Sequence, residues 1–378
     1  MDFGFSEQQR DVQNLARQIL SDNVTAEKLS QYDDYKAERF DRELWQKFAE
    51  AGLLGVAIDE EFGGMGFGFF ELGLLVEEAG RAIAPLPLIS HLISAALPIQ
   101  QFASHAQKLA WLPKVASGEI LLTAALSEAY NDDPTQPYLT TAKAEGDSLV
   151  LNGEKTNVPF AHIADRILLA AKTSDGIAVV LLDPKAEGVS LSAQQITTYE
   201  PQYVVSLNNV RIGAGDILAT GMDGQALMQW LAERTTIALC AHQLGASDKA
   251  MRMSASYTAE RKQFGVLIST FQAVGHRAAN CFIDVECLRL NTYQAISRLD
   301  GGLDATNEVQ IAKIWAGDVG HRVSYAAQHL HGGTGIDRDY PLWRYCTWLR
   351  YNEMALGGSA KTLAKLGKRI AAGQAFCS

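Results

Sequence analysis

Two segments in the last third of the chain collect residue types suited to holding a large anion. The first is Tyr257-Thr258-Ala259-Glu260-Arg261-Lys262-Gln263-Phe264-Gly265, followed shortly by Phe271-Gln272, and the second is His331-Gly332-Gly333-Thr334-Gly335-Ile336. An anion of more than one charge needs a cation that presents several donors at once, and backbone N–H groups that no side chain obstructs. Arginine meets the first need with its fixed guanidinium fork, and glycine meets the second. Each segment alone also has an ordinary reading: a basic turn after a helix is commonly a solvated loop, and Gly-Gly-Thr-Gly commonly ends a helix. A third run, Gly63-Gly64-Met65-Gly66-Phe67-Gly68, invites comparison with dinucleotide-binding loops. No hydrophobic strand precedes it, and Glu60 and Glu61 would repel a phosphate, so it reads as a connection between helices.

Such segments must be carried by rigid elements, and hydrophobic periodicity marks three stretches of them. From Ser6 to about Gln100 the period is helical, with Val12, Leu15, Ala16, Ile19 and Leu20 on one face and Leu44, Phe48, Leu72, Leu75 and Val76 continuing the pattern. Gly52 and the 63–68 run break it into four or five short helices. Between about Gly118 and Ile212 the texture changes to short β-rich runs, such as Leu149-Val150-Leu151, Ile167-Leu168-Leu169 and Ala178-Val179-Val180-Leu181-Leu182. Glu145-Gly146-Asp147, Asn152-Gly153 and Ser174-Asp175-Gly176 separate them with residues that tolerate positive φ, which predicts a compact antiparallel sheet or barrel. From about Gly224 the helical period returns, with length enough for four long helices. After Thr270 the residues Phe271, Val274, Ala278, Cys281, Val285, Leu288, Thr292, Ala295 and Leu299 step by three and four, a seam of the bundle type. The implied domains are 1–117, helical; 118–215, β; and 216–378, a helical bundle.

Composition narrows the partners. The 378 residues include 43 acids against 33 bases, a net charge of −10, which disfavours nucleic acid because phosphate binding on that scale needs a cationic face. Hydrophobic residues at 47% and charged residues at 20% predict folded structure throughout. Cys240, Cys281, Cys287, Cys346 and Cys377 show neither metal-ligand nor disulfide-framework spacing, and a reducing cytoplasm suits them. The start, Met1-Asp2-Phe3-Gly4-Phe5, has no secretory pattern, and no apolar run approaches the ~20 residues of a membrane span.

The two anion-suited segments, set in the order helical, β, helical, closely resemble the acyl-CoA dehydrogenase family, whose signatures are an R-K-Q-F-G loop with a following F-Q and a later H-G-G-x-G loop. The resemblance covers essentially the whole chain. It implies a mainly α fold with a central β domain: an N-terminal helical domain, a middle antiparallel β-barrel and a C-terminal four-helix bundle. It implies FAD as cofactor, contacted by Arg261, Gln263, Phe264, Gln272, His329, Gly332 and Gly333, with Leu126 and Ser127 from the β region. An acyl-CoA substrate and an electron-transfer flavoprotein are the implied small-molecule and protein partners.

The chain also departs from the family. Removing the weakly acidic proton beside a thioester carbonyl needs a base. The family's usual glutamate stands in Y-E-G-T, where this chain has Ala355-Leu356-Gly357-Gly358, so Leu356 fills the catalytic position. Glu353, three residues earlier, reads as a surface acid. Other members carry the base beside an arginine on the first long bundle helix, which points to Glu233-Arg234. Counting back from Tyr257 instead reaches Thr235 or Thr236, and a helix-surface ion pair is the plainer reading of Glu233. Where the family has T-E-P-G-A-G-S this chain has Ser127-Glu128-Ala129-Tyr130-Asn131-Asp132-Asp133, without the glycines. Its Asn152-Gly153-Glu154-Lys155-Thr156-Asn157-Val158-Pro159-Phe160 lacks the family tryptophan, and His329 replaces a glutamine. These departures resemble bacterial acyl-CoA dehydrogenases of steroid or bile-acid side chains, in which two different chains form a heterotetramer and the partner supplies the glutamate. Asp339-Tyr340-Pro341-Leu342-Trp343-Arg344-Tyr345 and the start Met1-Asp2-Phe3 share that likeness. Three functions follow: a dehydrogenase subunit dependent on a second acyl-CoA dehydrogenase-like chain, a self-sufficient homotetramer using Glu233, and a non-catalytic flavin-binding or scaffolding subunit.

Overall fold

A computed structural model describes residues 4–35 and 37–374; Met1-Asp2-Phe3 and Cys377 lie outside the described residues. The first helices are α1 (Glu7–Asn23), α2 (Ala26–Ser30), α3 (Arg42–Glu50) and α4 (Phe69–Ala82), then a π-helical segment (Ile89–Ala96), α5 (Leu97–Phe102) and α6 (His105–Ala116). Eight strands follow: β1 (Leu122–Ala125), β2 (Thr141–Glu145), β3 (Ser148–Pro159), β4 (Arg166–Lys172), β5 (Ile177–Leu182), β6 (Val189–Gln194), β7 (Gln202–Ile212) and β8 (Ile217–Ala219). After them come α7 (Gly221–Glu260), a small hairpin of β9 (Lys262–Gln263) and β10 (Val266–Leu267), and α8 (Gln272–Asp300), α9 (Thr306–His331), α10 (Leu342–Met354) and α11 (Ser359–Ala371). The chain is mainly helical around a central β region. Three of the later helices are long, at 40, 29 and 26 residues, and α10 and α11 have 13 each, where the periodicity predicted four long ones.

The chain folds as two compact units, one drawn from Met1–Ala26, Gly73–Ala84 and Thr236–Ser378, the other from Glu27–Leu72 and Pro85–Thr235. In the second unit the strands run in the order β6-β7-β3-β2-β4-β5-β8, with β1 beside β4. Most pairings are antiparallel, while β1 lies parallel to β4. Buried β4 and β5 form its apolar centre. Glu145 pairs with Ser148 across Gly146-Asp147, and the Thr173 N–H donates to Gly176 O, so two of the predicted turns are hairpins. Asn152-Gly153 is instead a bulge within β3, where the register against β7 shifts between Leu151 and Gly153. A Cβ on Gly153 would lie 2.2 Å from Leu139 O, so the close passage of residues 139 and 140, rather than a chain reversal, requires glycine here.

In the first unit α8, α10 and α11 all pack against α9. The predicted α8 seam is buried from Cys281 through Leu299, whereas Phe271 at its start is 39% exposed. The last turns of α4 cross α7 at a pair of glycines. A Cβ on Gly80 would stand 2.1 Å from His242 O, and one on Gly245 would stand 1.9 Å from Glu77 O, so the backbones touch. Around this crossing lies an ion network whose carboxylates are buried. Glu77 accepts from Arg81 at 2.8 Å, Arg289 at 3.1 Å and the Tyr293 hydroxyl at 2.6 Å. Glu78 accepts from Arg17 at 2.7 Å and Arg81 at 3.1 Å. Asp248 accepts from Arg252 at 2.9 Å and also from Arg81. Helices α1, α4, α7 and α8 are thereby joined through charges that burial makes costly to separate.

Cys240, Cys281 and Cys346 are buried in this unit. Burial pushes their thiols up to about 12, 11 and 12 respectively. Among the described residues no helix is long and apolar enough to cross a membrane, and no group of three or more potential ligands could hold a metal.

The glycine crossing predicts an inverted helix-propensity effect. Alanine is favoured over glycine inside a helix by about 1 kcal/mol, yet Gly245→Ala should lower the unfolding free energy by about 1–3 kcal/mol through overpacking. Urea denaturation measures it, and an unchanged or raised midpoint would contradict the steric account.

Candidate functional site

The arginine loop starts as the last turn of α7 unwinds: Arg261 N–H still donates to Tyr257 O at 2.9 Å, and Lys262 and Gln263 then pair with Leu267 and Val266. Phe264 (φ 54°) and Gly265 (φ 83°) form the turn. Two successive left-handed residues give the tight hairpin whose twist matches its strands. For phenylalanine that backbone costs about 1–2 kcal/mol, and no burial offsets it, since Phe264 is 93% exposed. Its ring meets the edge of Phe271 at 6.2 Å between centroids. Arg261, Gln263 and Gln272 are exposed beside these rings in sequence.

The glycine loop starts where α9 stops. Gly332 has φ 61° and ψ −137°, a region that residues with a Cβ avoid. A Cβ on Gly332 or Gly333 would meet nothing within 4 Å, so the backbone there faces open space. The loop is fastened to the end of α7 by aromatic residues: the Tyr257 and His331 rings stack at 4.2 Å, and the Tyr257 hydroxyl lies 3.4 Å from His331 O. His331 Nδ1 lies 2.8 Å from Ala327 O and must carry a proton to bond there, leaving Nε2 to accept from the Tyr340 hydroxyl at 3.1 Å. Burial lowers the His331 pKa, which favours this neutral form. His329 is exposed and stacks with Tyr325 at 6.3 Å. The first unit thus brings the two motif segments together through Tyr257, His331 and Tyr340, a fastening that sequence reasoning missed. An exposed cation, open glycine backbone and exposed phenyl rings fit the pyrophosphate and ring systems of a flavin dinucleotide.

In the second unit, half-buried Leu126 and Ser127 follow β1. Ser127 O accepts from Thr156 N–H at 2.9 Å, and Glu128 and Asn131 exchange both backbone hydrogen bonds at 2.9 Å. Ala129-Tyr130 is therefore a two-residue turn, with Tyr130 (φ 62°) left-handed at a place suited to glycine. The loop keeps its form without glycines because the Glu128 carboxylate anchors it. It accepts from Lys155 Nζ at 2.8 Å and from the N–H groups of Tyr138, Leu139 and Thr140 at 2.8, 2.8 and 3.1 Å. Burial alone would raise this carboxyl; the Lys155 ammonium and the amides hold it down at about 2. Asn157, where the tryptophan is missing, is also left-handed at φ 55°.

None of the positions considered for a base presents a simple one. Leu356 (φ 54°) lies half-buried in the turn between α10 and α11. Glu353 is half-buried, 2.5 Å from Arg350 Nη1 and 3.7 Å from His321 Nδ1, which makes it a paired acid rather than a free surface one. Buried Lys313 donates to Asn352 O at 2.6 Å and so closes the end of α10. Glu233 accepts from Gln229 Nε2 at 2.9 Å one turn away, while Arg234 lies over the Trp230 ring at 3.8 Å. Thr235 is buried with its hydroxyl 3.0 Å from Ser94 Oγ.

Comparison with known proteins gives matches along nearly the whole length. The family model described as acyl-CoA dehydrogenase, N-terminal domain, matches residues 6–119, and that described as acyl-CoA dehydrogenase, C-terminal domain, matches residues 222–371. Acyl-CoA dehydrogenase FadE27 of Mycobacterium tuberculosis is 34% identical, over 98% of this chain and 99% of its own. Among solved structures, a chain of the ChsE4-ChsE5 complex from Mycobacterium tuberculosis superposes with a TM-score of 0.92 at 33% identity, covering 98% and 99% of the two chains. A chain of a variant of the Tcur3481-Tcur3483 steroid ACAD superposes at 0.90 with 37% identity, covering 97% and 98%.

The Glu128 anchor predicts a particular acid response. Its folded-state carboxyl titrates at about 2 against an ordinary 4.5, so the stability it contributes is complete above pH 4.5 and is lost as pH falls toward 2. Glu128→Gln strands the Lys155 ammonium and should cost about 3–5 kcal/mol at neutral pH. The gap between variant and wild type should close between pH 4.5 and 2 in thermal melts; a gap independent of pH would refute the ionic anchor.

Proposed function

Because the chain belongs to the acyl-CoA dehydrogenase family, we propose that it is one subunit of a FAD-dependent dehydrogenase that introduces an α,β double bond into a CoA thioester with a ring-bearing acyl group, most specifically a steroid or bile-acid side chain. The catalytic base comes from a second, related chain. The observation that carries this reading is Leu356, an aliphatic side chain in the position of the family's glutamate. The similarity to chains of two complexes, each named for two proteins, supports the partner, and the steroid ACAD among them supports the substrate class. When bound, FAD supplies the redox chemistry, taking a hydride from the carbon next to the one that is deprotonated.

On this reading, Arg261 and the open backbone at Gly332 and Gly333 hold the pyrophosphate, and Gln263, Phe264, Gln272 and His329 contact the rest of the cofactor. Leu126 and Ser127 contribute from the β region, where the Ser127 hydroxyl is the available donor. His331, neutral and fixed by Ala327 and Tyr340, sets the orientation of the glycine backbone. Leu356 excludes water from its end of the site and moves no proton. Electrons leave to an electron-transfer flavoprotein, and the enzyme works in the cytoplasm. The division into 1–117, 118–215 and 216–378 belongs to the same proposal.

The test is the visible absorption spectrum of the purified chain, alone and co-expressed with an acyl-CoA dehydrogenase-like partner, before and after addition of a steroid-side-chain CoA thioester. Bleaching of the yellow colour is expected in the mixed complex alone. Bleaching of the lone chain, abolished by Glu233→Gln, would move the base to Glu233 and replace this reading with the homotetramer. A mixed complex that binds flavin yet never bleaches would indicate a scaffolding subunit.

A further inference from the structure

Helix α8 carries apolar residues on two faces. Its inner seam is buried in the unit from Cys281 onward, while a second stripe, Gly275, Ala279, Phe282, Ile283, Glu286 and Leu290, advances by threes and fours along another face. Phe282, Ile283 and Leu290 are 53%, 58% and 61% exposed, and Glu286 is the one charge in the stripe. A helix with two apolar faces is built to lie between two layers, and this unit supplies only one of them. Beside the stripe, α7, α8 and α9 leave an apolar groove of about 440 Å³, lined by Ala255, Ala278, Ala279, Phe282, Val323 and Ala327. Arg252 also lines it, largely exposed, with its Nε on Asp248 at 2.9 Å and its other nitrogens without a hydrogen bond among the described residues. Glu286 accepts from Arg289 Nε at 3.2 Å, a pair within one helix of the kind that contributes little and exchanges readily. Arg289 also reaches Asp248, at 3.5 Å, so Arg252 and Glu286 stand at one end of the groove.

We infer that this face is an interface with a second copy of the chain, α8 lying antiparallel on α8 about a two-fold axis beside Glu286. A two-fold contact requires one patch to supply both halves of every interaction, and this patch does so in shape and in charge. Residues 282 and 290 each lie four positions from 286, so the axis sets each Leu290 level with Phe282 of the other copy, at the groove. Leu290 is the exposed aliphatic side chain, and the groove is the apolar space that receives it. Ala279 and Gly275 leave room for the helices to approach, since a Cβ on Gly275 would meet nothing within 4 Å. Near the axis each Glu286 meets the open side of Arg252 of the other copy, so opposite charges face each other twice. The inference does not rest on the dehydrogenase reading; in a complex holding two copies of this chain, it names the contact between like chains.

Sedimentation equilibrium of the purified full chain, with no other chain and no thioester added, is the test. The wild type should self-associate. Leu290→Lys, a change at an exposed position, should weaken that association about tenfold or more while the circular dichroism spectrum stays that of the wild type. Glu286→Arg should weaken it as well, and Glu286→Arg combined with Arg252→Glu should restore most of it, as reciprocal pairs across a two-fold axis require. Should Arg252→Glu unfold the chain through its place beside Asp248, Ala279→Arg substitutes for it: a bulky cation where Leu290 of the other copy lies should also favour the monomer. A monomeric wild type overturns the inference, and so does association that Leu290→Lys and Ala279→Arg leave unchanged. If the wild type assembles only with a different, co-expressed chain and Leu290→Lys abolishes that assembly, the face belongs to the other chain and the inference fails. Flavin bleaching plays no part in these measurements, so their outcome stands apart from that of the dehydrogenase reading.

Discussion

The arrangement of helices in the first unit depends on one steric condition: α4 and α7 approach until backbone meets backbone at Gly80 and Gly245. At ordinary helix separation the acids of α4 would reach toward the arginines of α1 and α8 across space that water would fill. At this crossing the buried carboxylates of Glu77, Glu78 and Asp248 are held by the mostly buried Arg81 and Arg289 and, from the solvent side, by the exposed Arg17 and Arg252. Glycine makes the approach possible, the approach buries the three carboxylates, and their burial makes cationic partners necessary. The cluster sits on α7 several turns before its end, where Tyr257 and Arg261 are located.

Both motif regions follow the same economy, in which a buried polar anchor holds an exposed working surface. His331 is buried between Tyr257 and Tyr340, and the glycines immediately after it are open. Glu128 is buried against Lys155, and the turn immediately after it stands in solvent. In each case the anchor uses several hydrogen bonds to fix a few residues that make none of their own side-chain contacts. Preorganisation of this kind lowers the ordering cost of binding, because the loop does not have to be immobilised when a ligand arrives.

Short-range features were readable from the sequence, and features set by distant parts of the chain were not. The order helical, β, helical follows from periodicity alone, and Gly146-Asp147 declares its hairpin because turn preference is local. Asn152-Gly153 carries an equally strong local signal, yet tertiary packing against residues 139 and 140 makes it a bulge. The step of the α8 seam was plain, but not that it closes only from Cys281 onward, since burial depends on which helices lie opposite. Arg261 and Gly332 could be singled out because a motif concentrates them. Glu77 and Arg289 could not, because their pairing spans 212 positions. Tyr130 stands where the family has glycine, and the distant anchor of Glu128 on Lys155 and residues 138–140, which holds the turn without it, is not visible in the local sequence.

The burial of three thiols in the helical unit has a consequence for durability. Cys240, Cys281 and Cys346 stay protonated at any physiological pH and lie away from solvent. Peroxide attacks the thiolate, and access governs the rate. Redox enzymes that meet oxygen leak peroxide at the place where they work, so damage accumulates with each catalytic cycle. Sulfur kept in this form ages slowly, so the helical unit carries three thiols that oxidation reaches only after the fold has opened.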